Sequence, residues 1–512
     1  LILAPGGYAL IRGKGDDDLS TGTQVVYLIE LPNTVPFWGA NGFVEILKGG
    51  VTIDFVRFGS DVTAPTTVSE WSGGSTVALP SSAETDYGKS IARNVNNSDT
   101  NASGDWTLRS FATAGGQNDV SSDVDGDGDG IPDSSEAPGS TFAGLPLYDW
   151  GARTGQKDIF IHIDYMNSSD PGVTPRKEAL DKVKTIFNNH GYTIHFDIGN
   201  LYGVTPADYA LENRSHQVPY AQTLTLGASP GKANIYDYKN TYMNMARKQI
   251  FFYCLSGFSQ NADGSAGSSG LGELKGNDFI VTFGNWGLNA STTAKLNKLI
   301  NIQASTIMHE LGHNLGLSHG GDVATNYKPN YRSIMNYMYQ INGLPVIGNP
   351  KEGDRYYWYR YKNVDGQSGG SLFKQYFPSG NPLDDLHDNE ETTSFNMEFS
   401  DGSGVSAINE GSISEPAGLK RAGSVGVDYN GNGNTTDGAV SMDLNPGEGT
   451  AIETLNDFND WAAISVLFQR TFSGDKSGDS LTPRVRRNDY LQNDHQEVIF
   501  ETLYPEDCFG KR

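Results

Sequence analysis

His309, Glu310, His313, Gly316 and His319 stand in one run, His309-Glu-Leu-Gly-His-Asn-Leu-Gly-Leu-Ser-His319. Imidazoles four residues apart lie one turn from each other on a helix, so both can face a single metal ion. Glu310 follows the first of them and can reach a water on that ion without binding it. Gly316 lets the chain leave the helix through a backbone conformation that other residues resist, and His319 then returns as a third nitrogen donor. Three protein donors leave a fourth tetrahedral position for water, the arrangement of a catalytic rather than a structural zinc site. The chemistry that this spacing would support is hydrolysis by an activated water, with Glu310 as its base.

A bare His-Glu-x-x-His arises by chance too often to carry this argument. Five fixed positions bring a chance match to on the order of one in thousands for a chain this long. Three of the nine histidines fall within these eleven residues. Ala304, Ile307, Met308, Leu311 and Leu315 recur at helical spacing and predict a core-facing stripe, with His309 and His313 on another face. Gly312 weakens a helix by about 1 kcal/mol relative to Ala, so packing or function must justify it. Sixteen residues beyond His319, the segment Ser333-Ile-Met-Asn-Tyr337 places Met335 and Tyr337.

With that second segment, the chain resembles the metzincin metallopeptidases, which join the long zinc motif to a downstream methionine turn. The resemblance implies that His309, His313 and His319 hold one Zn2+ and that Met335 forms an apolar floor beneath them. It also implies that Tyr337 ligates zinc at rest and swings away to hydrogen-bond the reacting oxyanion, as in astacin-like and serralysin-like members. ADAM-like and reprolysin-like enzymes share His-Glu-Leu-Gly-His-Asn-Leu-Gly-Leu. They carry Asp where this chain has Gly320, with Asp322 two positions later, so the resemblance is to the clan and to secreted bacterial members of it.

The elements that must position these residues read as follows. Strands are expected over Asp158–Tyr165, Tyr192–Ile198, Lys248–Leu255 and Asp278–Phe283, with a helix from Thr174-Pro175 to Asn189 whose inward stripe is Leu180, Val183 and Phe187. This order fits an α+β (α/β) metzincin catalytic domain over 141–475. Its parts are a twisted mixed sheet with backing and active-site helices, then a loop-rich lower subdomain and a helix from Asp457 through Phe468. By resemblance, Asp278, Phe279, Ile280, Val281, Thr282 and Phe283 form the edge strand that pairs with an extended peptide substrate. Residues 476–512 read as a tail.

Ahead of this domain, residues 1–118 alternate in short runs such as Gln24–Leu31 and Val51–Phe58, the pattern of an all-β sandwich. Gly88 to Arg93, Asn101, Asp105-Trp106 and Gly115 to Asn118 resemble the end of a lamin-tail-like domain, which implies a surface or polymer target. Residues 119–140 carry Asp125, Asp127, Asp129, Asp133 and Glu136 at positions one, three, five, nine and twelve, with Gly130 at six. That is a calcium-loop spacing, with the Ile131 carbonyl at position seven, and close carboxylates require a cation to offset their repulsion. The flanks are Ser, Pro and Gly rather than amphipathic helices, so the stretch resembles thrombospondin type-3-like acidic linkers. Asp428, Asn430 and Asn432 space oxygens for a second Ca2+ or for a plain turn.

With 61 acidic and 37 basic side chains the formal charge is −24, which excludes nucleic acid and anionic membrane as natural partners. No run is long and apolar enough for a membrane-spanning helix. The chain begins at Leu1 without a basic-then-apolar leader, so a processed product is expected, and secretion follows from enzyme class and composition. Cys254 and Cys508 can pair or stay free. The expected activity is therefore zinc-dependent endopeptidase action on protein or peptide. The alternatives are a calcium-stabilised adhesion or matrix-binding protein on an inactive peptidase fold, and a zinc amidase acting on cell-wall peptide.

Overall fold

A computed structural model of the chain describes residues 7–12, 24–28, 41–78, 90–203, 209–212, 214–226, 232–366, 371–379, 382–466, 470–471 and 480–481. Its centre is a six-stranded mixed sheet, mostly parallel, built from β1 (Lys157–Met166), β2 (Tyr192–Asp197), β3 (Gln217–Val218), β4 (Phe251–Gly257), β5 (Gly270–Gly272) and β6 (Asp278–Thr282). The order is β5-β6-β4-β1-β2, with β3 beside the end of β1. Only β5 runs antiparallel to its neighbour. Parallel neighbours need a long crossover, which α1 (Lys177–Asn189) supplies between β1 and β2.

Alternation along the strands sorts side chains into two cores. Ile159, Ile161 and Ile163 of β1, Phe252 and Cys254 of β4, and Phe279 and Val281 of β6 face one side. There they meet Leu180, Val183 and Phe187 of α1 and Leu299, Ile302, Ile307 and Leu311 of α3 (Thr293–Asn314, counting Ile235–Tyr242 as α2). Phe160, Phe251, Tyr253, Leu255 and Ile280 face the other side and pack on Phe111, Val120, Ile131, Phe142 and Leu147. The acidic stretch expected as a linker is thus part of the second layer of this sheet, because a strand buried on both faces requires two covers.

Several expectations need correction. The strand at Asp278–Phe283 ends at Thr282 and lies inside the sheet, since β5 pairs along its outer side through Gly270↔Val281, Leu271↔Ile280 and Gly272↔Phe279. A three-residue strand bounded by glycines has too little pattern to read from sequence. The third strand begins at Phe251 rather than Lys248, because Arg247–Gln249 forms a 3-10 turn. The helix expected from Asp457 is only Asp460–Ala463, capped by Asn459 and followed by extended backbone at Ile464; Phe468 lies outside the described residues.

At the N-terminal end, Gly42–Lys48 pairs with Val51–Phe58 and Ser90–Arg93 with Trp106–Arg109, both antiparallel, around a small core of Phe55, Val56, Phe58, Trp71 and Val77. Tyr8–Arg12 and Gln24–Leu28 pair in parallel, which an antiparallel sandwich does not require. Much of residues 1–40 and 79–89 lies outside the described residues, as does all of 476–512 except Ser480–Leu481. After the methionine segment the chain is loop-rich around a third core containing Tyr339, Tyr356, Phe373 and Tyr429. Among the described residues no helix is long and apolar enough to cross a membrane. Cys254 is a buried free thiol, and Cys508 lies outside the described residues.

One buried ion pair ties α2 to the sheet beside the site. Lys239 on α2 reaches the Asp278 carboxylate at 2.5 Å, both side chains being fully buried. Glu273, pushed up to about 7 by burial and by Asp278, accepts the Tyr236 hydroxyl. Removing only the cation leaves two buried carboxylates without their counter-charge. Lys239→Met should therefore lower unfolding free energy by about 3–5 kcal/mol in urea denaturation. Adding Asp278→Asn should recover part of that loss, and a single variant as stable as the parent would remove this role.

Candidate metal centre

Helix α3 starts at the Thr292 cap, whose side chain accepts the Lys295 N–H, and is buried from Asn301 to Asn314. The expected stripe of Ala304, Ile307, Met308, Leu311 and Leu315 lies in the first core, and the face carrying His309 and His313 is covered as well. His309, His313 and His319 each bring a ring nitrogen within 4.8 Å of the others. His309 Nδ1 lies 2.7 Å from the Ile334 carbonyl oxygen, and His313 Nδ1 lies 2.8 Å from that of Leu317. A carbonyl only accepts, so each Nδ1 carries the proton and each Nε2 presents a lone pair. Those two Nε2 atoms stand 3.1 Å apart.

Two lone pairs at that distance repel unless a proton or a metal cation lies between them. Burial, reinforced by His313, holds His309 well below the usual imidazole range, and burial lowers His313 to about 4. His319 is also held well below, by burial and by both neighbours. The trio is therefore neutral near pH 7, the state in which imidazole binds metal.

The turn after α3 delivers the third ring. Gly316 has φ +104°, a conformation for which glycine is suited. The pair Ser318–Gly321 then closes a tight bridge around His319. A Cβ on Gly320 would stand 2.2 Å from the Thr325 carbonyl oxygen, so an Asp at this position has no room. The Lys328 ammonium grips the Gly320 carbonyl at 2.6 Å and that of Asn456 at 2.7 Å, fixing this turn to the later chain.

Met335 is fully buried beneath α3, and a Cβ on Gly312 would lie 2.4 Å from its Sδ and 3.0 Å from the Phe399 ring. This contact is the packing reason for glycine within the helix. The Met335 segment is itself held by Asn336, whose amide donates to the Lys328 and Tyr331 carbonyls, and by the Ile334 N–H to the Glu398 carbonyl. The Tyr337 ring centre lies 4.1 Å from that of His319, and the Tyr337 N–H donates to Asn326.

Glu310 is fully buried, and neither carboxylate oxygen has a hydrogen-bond partner. Burial raises it well above its ordinary range. A Cβ on Gly270 would stand 2.5 Å from Glu310 Oε1, and one on Gly272 2.8 Å from its carbonyl oxygen. The bare backbone of β5 thus forms the wall beside this carboxylate, a relation that sequence reading did not find. Glycines bracketing a single Leu were its only trace. The nitrogen trio and an orphaned buried carboxylate beside it fit a cation with an attached water.

The other candidate ligands divide. Asp125, Asp127 and Asp129 converge, and Asp129 and Glu136 converge with Asp158, which sequence reading placed only in a strand. Asp133 turns its carboxylate to the Gly126 N–H at 2.8 Å, and the Ile131 side chain packs into the second core. In the 428–437 loop, Asp428 accepts the N–H groups of Gly431, Asn432 and Gly433. The Asn430 and Asn432 amides donate to Asp437. As placed, these residues form a self-satisfied turn.

No protein-family model, curated protein or solved structure matches the chain. The site therefore rests on its own geometry. Gly312→Ala should push Met335 away from α3 and cost about 1–3 kcal/mol by overpacking, together with weaker metal retention on dialysis. Unchanged stability and metal content would show that this contact is not needed.

Proposed function

We propose that this chain is a secreted zinc-dependent endopeptidase of the metzincin type. The observation that carries the proposal is the pair of Nε2 lone pairs 3.1 Å apart, joined by His319 and bordered by the unpartnered Glu310. All donors are neutral imidazoles, a set suited to zinc, and three leave room for water. The long motif and the methionine segment supply the family reading, to which the mixed parallel-rich sheet adds support.

Bound there, zinc would polarise a scissile carbonyl and lower the pKa of its water. With that ion bound, Glu310 would accept the proton of the attacking water and return it to the departing amine. The Tyr337 hydroxyl donates to the oxyanion that forms on the carbonyl. Main-chain groups of β5, rather than those of β6, offer the outer sheet edge against which an extended peptide can lie.

Glu310→Gln should keep a full complement of zinc and lose about 10²–10⁴-fold in kcat on casein or a quenched peptide. Substantial residual turnover would remove Glu310 from the role of base. For Tyr337→Phe the expectation is a fall of about 10²-fold in kcat with zinc content unchanged; an undiminished rate would rule out oxyanion stabilisation. The same assay separates a peptidase from an inactive adhesion protein. Cell-wall peptide supplied as an alternative substrate tests the amidase reading.

A further inference from the structure

The strongest carboxylate cluster away from the histidines lies where residues 125–136 meet the base of β1. Asp129, Glu136 and Asp158 each bring an oxygen within 4.8 Å of the others, and Asp129 is shared with the trio Asp125, Asp127 and Asp129. Asp129 is 6 % exposed, and Glu136 and Asp158 are 3 % exposed. Among the described residues no Lys or Arg forms an ion pair with any of the five. The one basic group in contact is His195, 2.6 Å from Asp158.

Main-chain amides already fasten this cluster to the sheet. The Gly155 N–H donates to Asp127 and the Asp158 N–H to Asp129, both at 2.8 Å. Arg153 N–H and the Gln156 amide donate to the Asp158 carboxylate at 2.9 and 2.6 Å. Glu136 differs from the rest. Both of its oxygens are buried without a hydrogen bond of good geometry, and only the Thr154 hydroxyl is placed to favour the charged form. A buried carboxylate facing two others is costly unless a positive charge completes the group.

We propose that Asp125, Asp127, Asp129 and Glu136 bind one calcium-sized divalent cation jointly with Asp158, and that this cation fastens the acidic segment to the central sheet. The loop spacing alone places every ligand within residues 125–136; the geometry adds a donor from β1, oriented by His195. Every side-chain donor is a carboxylate, which selects a hard cation over zinc. Five carboxylates exceed the one or two that Mg2+ ordinarily takes, whereas Ca2+ accepts six to eight oxygens. Through this cation Ile131 and its neighbours stay packed on Phe160 and Phe251, so the second layer of the sheet depends on it.

The test uses the full chain, freed of weakly held ions on a chelating resin, with zinc content measured in every sample. Titration with Ca2+, and with Tb3+ as a luminescent probe, should show one such ion per chain and raise the thermal midpoint. Hydrogen exchange should slow both in 125–136 and at the start of β1 around Asp158. Glu136→Gln should abolish the thermal shift, and Asp158→Asn should weaken Ca2+ binding at least tenfold. Absence of stoichiometric binding overturns the proposal, as does protection confined to 125–136. If Asp158→Asn fails to fold, exchange on the unaltered chain decides. The proposal does not rest on the peptidase reading: calcium protection in protein without zinc or turnover would sink that reading and leave this one standing.

Discussion

Two imidazole lone pairs held nose to nose on a buried helix constrain everything around them. Neither ring can turn away, because each Nδ1 proton is committed to a main-chain carbonyl, Ile334 for His309 and Leu317 for His313. Neither can relieve the repulsion by taking a proton, because burial opposes the charge. The fold therefore holds a site whose electrostatics a cation would satisfy. Ile334 adjoins Met335, so the segment that packs against Gly312 of α3 also sets the tautomer of His309. One short stretch of chain does both jobs.

Glycine is what allows the surrounding elements to come close enough. Gly312 admits Met335 Sδ against the helix backbone, Gly320 admits the Thr325 carbonyl, and Gly270 and Gly272 admit Glu310 against the sheet edge. Each is a close approach that a methyl group would prevent. The parallel strands behind them, apolar on both faces, provide the rigid support that such tolerances require. A carboxylate without a partner can persist here because that support cannot relax around it.

The sequence made the histidine geometry legible because it is local: helical periodicity and one glycine determine where three rings go. Alternation likewise announced β1 and β2, and helical spacing the apolar stripe of α1. What escaped was relational. β5 is three residues long and has no period to detect, so β6 was taken for an edge that β5 covers. Asp158 was read only as part of an alternating strand, and only the docking of residues 125–136 shows it facing Asp129 and Glu136. That docking also means the acidic stretch is a layer of the central sheet rather than a spacer, since the Ile131 side chain is buried in its core. Asn in place of Asp at positions 430 and 432 likewise gave no sign that the amides would satisfy Asp437 instead.

X-ray absorption at the zinc edge, on protein purified without chelators, addresses the central claim most directly. The account predicts one zinc per chain with three imidazole nitrogens and one or two further oxygens, at about 2.0–2.1 Å for the nitrogens. Zinc absent from the purified chain, or zinc bound without imidazole scattering, would contradict it.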